Sequence, residues 1–215
     1  MNVLALEGAL GSFSCALLVD CNESCDQVEG KLALEQGMSL VPRVLQRAGL
    51  SPFALDRLAV GIGPGSFTGL RIALSYAKSL AQGWRKPLVA LSSFDIIAGK
   101  EEAVPLLTVV EPRPGIISGR LRTLAGERRA SGPLAAALDE LLAGQTQSLT
   151  AINPPKDVLA ALGERAIDVH LVTYQTLPPA LSLARLARSA APASSWHAVR
   201  ADYGELPAAK VPRLP

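Results

Sequence analysis

The stretch whose residue types and spacing suit chemistry is Gly61-Ile62-Gly63-Pro64-Gly65-Ser66-Phe67-Thr68-Gly69-Leu70-Arg71-Ile72. An apolar run, Leu58 to Ile62, reads as a buried strand that feeds a glycine-rich turn and then a helical pattern. Gly63, Gly65 and Gly69 allow positive φ and let another backbone or an anion come close. Ser66 or Thr68 offers a side-chain oxygen to the free N–H groups of the first helical turn. A strand, a glycine turn and a helix N-terminus together make an anion site. Arg71 falls in the first turn, where the helix dipole disfavours a cation. Either a neighbouring carboxylate or an anionic ligand or partner should therefore hold it.

Other catalytic arrangements are poorly supplied. Ser66 lies in Gly65-Ser66-Phe67-Thr68-Gly69, whose second glycine comes one place too late for a GxSxG nucleophile elbow. His170 and His197 stand far apart from each other and from Cys15, Cys21 and Cys25, so no metal-ligand spacing emerges. An odd number of cysteines without a leader peptide suggests reduced thiols and a cytoplasmic setting. Glu111, Asp139 and Glu140 are scattered, and spacing alone cannot pair them. The expectation is no catalytic residue, no metal and no cofactor. With a formal net charge of +2 over 215 residues, there is no electrostatic case for a dedicated nucleic-acid binder. No apolar run approaches the roughly 18 residues that would suggest a membrane span.

The elements that must position this stretch follow from periodicity. From Thr68 to Gly83, Leu70, Ala73, Leu74, Ala77, Leu80, Ala81 and Trp84 recur on one helical face, with Arg71, Lys78, Gln82 and Arg85 away from it. Beside the core face runs a strip of Ile72, Ser75, Tyr76 and Ser79, which is either an ordinary half-apolar flank or a face for a partner. Upstream, residues 2–6, 14–19 and 27–34 read as a three-strand meander, with a turn over 20–24. Met38 to Ala48 reads as a helix with Val41, Val44, Leu45 and Ala48 on one face and Gly49 as its stop; Pro42 is tolerated if the helix begins near Ser39. Residues 86–91 read as a strand, and Ser92 or Ser93 caps a short helix over 94–98. Three antiparallel strands followed by helix–strand alternation is the sequence shape of half an actin-like ATPase fold, ribonuclease H-like at its centre. The fold expected is α/β, two lobes with mixed sheets. The break at 99–102 places an N-terminal lobe over 1–100 and a second lobe over 101–215. In the second lobe 104–110 and 116–124 read as paired strands, 126–132 as loop, 134–142 as helix, 145–152 as strand or loop, 156–165 as helix, 169–173 as strand and 179–190 as helix. The proline-bearing end, 207–215, reads as extended.

The segment Gly63-Pro64-Gly65-Ser66-Phe67-Thr68-Gly69-Leu70-Arg71-Ile72, followed by a helix and then Leu88-Val89-Ala90-Leu91-Ser92-Ser93, resembles the signature of the TsaB family. The resemblance runs over about the first hundred residues and more faintly beyond. It implies a non-catalytic subunit supporting a TsaD-like protein in forming threonylcarbamoyladenosine beside the tRNA anticodon. A TsaE-like ATPase joins that complex, and tRNA is met only through it. It further implies that helices of the N-terminal lobes pack together, which assigns partner contact to Met38, Val41, Leu45, Ile72, Ser75, Tyr76 and Ser79. Gly63, Gly65, Ser66, Thr68, Gly69 and Arg71 form the glycine loop, expected to serve backbone shape. Where the family usually reads Asp-Thr-Ala-Thr, a phosphate-type turn, this chain has Glu7-Gly8-Ala9-Leu10, with an aliphatic side chain in place of a hydroxyl. Gln36 stands where a histidine often falls, and Glu111-Pro112-Arg113 keeps only the arginine of an Asp-Ala-Arg element. Two other readings remain: a small ATP-dependent phosphotransferase of the same fold, and a protein that uses the same helix face to form homodimers.

Overall fold

The computed structural model describes residues 1–30, 33–144, 148–173 and 177–204. The first sheet takes β1 (Asn2–Glu7), β2 (Ser12–Val19), β3 (Asn22–Glu29), β4 (Arg57–Gly61) and β5 (Leu88–Leu91), in the order β3-β2-β1-β4-β5. Strands β1, β2 and β3 run antiparallel, and β4 and β5 join parallel to β1. The second sheet repeats the pattern with β6 (Leu106–Arg113), β7 (Ile116–Thr123), β8 (Gly126–Pro133), β9 (Ser148–Ile152) and β10 (Asp168–Val172), in the order β10-β9-β6-β7-β8. Both are mixed sheets, as expected of a two-lobed α/β chain. Parallel neighbours need helical crossovers. In the first sheet α1 (Ala33–Gly37) and α2 (Leu40–Arg47) lie between β3 and β4, and α3 (Phe67–Trp84) lies between β4 and β5. The two sheets are linked by α4 (Ser93–Ala98). In the second sheet α5 (Leu134–Leu142) lies between β8 and β9 and α6 (Lys156–Glu164) between β9 and β10, and a last helix, α7 (Pro179–Ala187), follows β10.

Alternation along β1 shows how the first sheet is buried on both faces. Leu4 and Leu6 point into a cluster with Val41, Val44 and Leu45 of α2 and Ala73 and Ala77 of α3. Val3 and Ala5 point the other way, into a cluster with Leu181, Leu183, Ala184 and Ala187 of α7. The expected second lobe of 101–215 is therefore shorter as a packed unit, because the chain comes back after β10 and lays α7 on the first sheet. Arg57 holds that return by donating to the carbonyls of Ala187 and Ala190 at 3.0 and 2.9 Å. The second sheet packs its own cluster against α5 and α6 through Leu138, Leu141, Val158 and Leu162.

Two strands fall elsewhere than expected. The third strand is Asn22–Glu29, not 27–34, of which 31 and 32 lie outside the described residues. A two-residue turn at Asp20 and Cys21, with Asp20 at φ 52°, lets polar Asn22, Glu23 and Ser24 pair with β2. The polar stretch 126–132, read as loop, is edge strand β8, in full antiparallel register with β7. Its exposed Glu127, Arg128 and Arg129 are the kind of charge that protects an open sheet edge. The expected start of β9 at Gln145 and the end at 207–215 lie outside the described residues. Among the described residues no helix is long and apolar enough to cross a membrane.

Candidate functional site

The glycine loop is shaped by what lies against it. Ser66 caps α3, its Oγ accepting the Gly69 N–H at 3.4 Å, while Thr68 sits exposed inside the first turn. Gly65 has φ 156°, and the N–H of Ser66 donates to the Ala9 carbonyl at 2.8 Å. The turn between β1 and β2 thus rests directly on the start of α3. A methyl group at Gly8 would lie 2.7 Å from the Gly69 carbonyl, and one at Gly69 would overlap the Gly8 carbonyl outright. Gly63, at φ 90°, meets the carbonyl of Asp202, whose own N–H donates to Ile62 at 2.7 Å. These glycines serve close backbone approach, and the first turn of α3 faces carbonyls of its own chain.

Glu7 closes the same turn. It is fully buried, its Oε1 accepting the Ala9 N–H at 2.7 Å and its Oε2 the Leu10 N–H at 3.2 Å. The amides that would meet an external anion are satisfied by the chain's own carboxylate. Burial pushes the Glu7 pKa up to about 7, against the opposing pull of the Ala9, Leu10 and Gly8 amides. A pKa raised in the folded state favours the protonated form, so its stabilisation is complete below the ordinary value of 4.5 and is lost as pH rises through about 7. Thermal melts should therefore show a loss of about 2.5 kcal/mol from this group between pH ~5 and pH ~8. Glu7→Gln, which cannot ionise, should remove that pH dependence, at a roughly constant cost because its NH2 group then faces one of the two amide N–H donors. An equally steep pH dependence in Glu7→Gln would exclude Glu7 as its source.

Next to the loop, α3 borders a groove of about 550 Å³ lined by Met38, Phe67, Thr68, Arg71, Ile72, Ser75, Tyr76 and Ser79. All four residues of the expected strip line it, with Met38. Tyr76 is half-buried and its hydroxyl donates to the Met38 carbonyl at 3.1 Å, tying α3 to the turn before α2. Val41 and Leu45 belong elsewhere: at 2% and 6% exposure they pack under α2 in the core, because the sheet takes the single apolar face that α2 has. Arg71, expected with the glycine loop, instead reaches along the groove, its guanidinium 5.2 Å from the centre of the Phe67 ring. Sequence reading missed Phe67, an aromatic at the first helical position that is 56% exposed and whose ring lies 5.0 Å from that of Tyr203. An aromatic residue inside an otherwise small-residue signature was the available signal.

The lobes meet through a second set of contacts. Arg120 of β7, almost fully buried, reaches Asp95 of α4 at 2.5 Å and lies 5.4 Å from the Phe94 ring centre. Burial alone would raise the Asp95 pKa, but the bonds from Arg120 and Ser92 outweigh it and hold the carboxyl below its usual range. Gly204 sits against Ser118 of β7 and Pro64, so the chain's own backbone occupies that part of the space between lobes. Among the described residues no three His, Cys, Asp or Glu side chains converge as a metal site. Glu111 spends a carboxylate oxygen on the Gly115 N–H of its own hairpin, and Gln36 is exposed.

The family model for TsaD, described as tRNA N6-adenosine threonylcarbamoyltransferase, matches residues 30–168, well over half of the chain. The chain belongs to the TsaD family. Among TsaD-family relatives, the tRNA threonylcarbamoyladenosine biosynthesis protein TsaB of Escherichia coli is 30% identical over 120 residues, 54% of this chain and 52% of that protein. The tRNA N6-adenosine threonylcarbamoyltransferase of Anaeromyxobacter sp. is 42% identical over 60 residues, 28% of this chain and 18% of that one. The matches thus span about half the length of the curated relatives or less. YeaZ from Pseudomonas aeruginosa superposes with a TM-score of 0.66 at 22% identity, over 94% of this chain and 99% of that one. The two-lobed α/β fold with mixed sheets expected from the order of elements is the fold of this chain, shared with YeaZ.

Proposed function

We propose that this chain is a TsaB-type subunit of the machinery that places threonylcarbamoyl on adenosine beside the tRNA anticodon. It docks a TsaD-like protein through the groove along α3 and supports that protein's chemistry without catalysing the transfer itself. A TsaE-like ATPase completes the assembly, tRNA is met through the complex, and the work is cytoplasmic. The observation that carries the reading is the groove: an exposed helix face of small residues flanked by Met38, Phe67 and Tyr76, next to a glycine signature used up in packing. Small residues let a second helix approach, and aromatic residues beside them are common anchors of binding energy. The name of the Escherichia coli relative supports the same reading.

The phosphotransferase reading is not favoured, since the amides of Ala9 and Leu10 already bond Glu7 and position 10 carries no hydroxyl. Self-association through the same face is compatible with the proposal when the partner is scarce. The test is depletion of this protein in its own cells, followed by measurement of threonylcarbamoyladenosine in tRNA and by co-purification of the TsaD-like protein. The modification should fall and return with the wild-type gene. Unchanged modification, with no TsaD-like protein retained, would sink the proposal.

A further inference from the structure

The groove also carries information about what its occupant must look like, if the docking reading above holds. We propose that Arg71 is the residue that reads the partner, and that the groove takes a helix of a different protein bearing an aspartate or glutamate over that guanidinium. Arg71 is the fifth residue of α3, one turn in from the helix N-terminus, where the dipole gives a cation no support. Among the described residues no carboxylate pairs with it. Arg43, Arg120, Arg165 and Arg185, by contrast, each hold a carboxylate of this chain. Among the described residues its guanidinium lies over the ring of Phe67, which rests in turn against Tyr203. That stack limits the rotamers of an exposed side chain in advance, so less freedom is lost when a carboxylate arrives. A planar guanidinium held in this way suits two parallel hydrogen bonds to one carboxylate.

The spacing fixes the geometry of the partner. Arg71, Ser75 and Ser79 fall at i, i+4 and i+8 on one stripe of α3. A helix crossing the two serines can come within the usual ~8–10 Å between axes. Its carboxylate then belongs about one turn from the small or apolar residue that lies over Ser75. A second copy of this chain fits less well. The groove lining holds one cation and no acid, so a two-fold pairing of the same face would bury two Arg71 side chains in one interface with no counter-charge from the lining. A partner of different sequence supplies the missing sign.

The experiment measures capture of the purified TsaD-like protein from the same cells by wild-type chain and by Arg71→Met, Arg71→Lys and Arg71→Glu, at low and high salt. Arg71 is exposed, so the variants should melt with the parent. Capture should weaken about tenfold or more in Arg71→Met and lose most of its salt dependence, with Arg71→Lys intermediate. Arg71→Glu should abolish capture, and reversing one partner carboxylate to arginine should restore it. Arg71→Met binding within about twofold of wild type at low salt would overturn the inference. So would a salt-sensitive homodimer through this face that displaces the other protein. If Tyr76→Glu loses capture while Arg71→Met keeps it, the docking reading stands and only the role of Arg71 falls; if both bind as wild type, both fall.

Discussion

Replacing Gly69 by alanine is expected to lower stability by roughly 3 kcal/mol or more, one of the largest effects any single methyl group can have in this chain. The added Cβ would overlap the carbonyl of Gly8, which is backbone and cannot rotate away. The β1–β2 turn would have to lift off α3, disturbing the bonds from Ala9 and Leu10 to Glu7 and from Ser66 to Ala9. For a chain of this length that corresponds to a drop of about 6–12 °C in melting temperature. The same helix contains its own control. Gly83 is exposed with nothing within 4 Å of a Cβ placed there, so Gly83→Ala should be neutral or stabilising by up to ~1 kcal/mol. Similar melting temperatures for the two variants would show that the hairpin yields easily and that the signature glycine is not a packing requirement. Gly65→Val should behave like Gly69→Ala, with strain at φ 156° added to overlap with Ala9.

Tyr76→Glu is expected to remove partner capture while leaving a folded chain. A carboxylate in the middle of the groove would be buried on docking without a counter-ion of its own, at a cost of several kcal/mol. The free protein loses the bond from the tyrosine hydroxyl to Met38, worth about 1 kcal/mol, and some packing against the core below. The melting temperature should therefore fall by only a few degrees. Tyr76→Phe, which keeps the ring, should bind nearly as well as wild type. Ser75→Trp tests the same surface with an exposed residue: it leaves the fold intact and blocks helix approach by bulk. Capture of the TsaD-like protein by both Tyr76→Glu and Ser75→Trp at wild-type strength would remove this face from the interface.

The features legible in the sequence were those decided within one element. The apolar stripe from Leu70 to Ala81 is the buried side of α3, and Ser66 caps it because its spacing to Gly69 is local. The strip of Ile72, Ser75, Tyr76 and Ser79 that lines the groove is adjacent to that stripe and was readable for the same reason. What stayed hidden depended on distant chain. Val41 and Leu45 look like a docking face because nothing in an eight-residue helix says which surface its apolar side meets; the first sheet takes it. β8 looks like loop because edge strands carry charge, and only its register with β7 reveals it. The ion-pair state of Arg71 and the burial of Glu7 likewise depend on residues far away in sequence or on the opposite side of a sheet.

The return of α7 to the first sheet has a consequence for synthesis on the ribosome. The strands of that sheet are complete at Leu91, yet the helix covering Val3, Ala5 and Val89 begins only at Pro179. At usual elongation rates the nascent chain waits on the order of ten seconds with one apolar sheet face bare, while the whole second lobe is translated. The opposite face is closed early, since α2 and α3 precede β5. A growing chain could thus present α3 and its groove before the first sheet is sealed. Chaperones that bind exposed apolar strands should engage translation intermediates longer than about a hundred residues and let go once α7 has emerged.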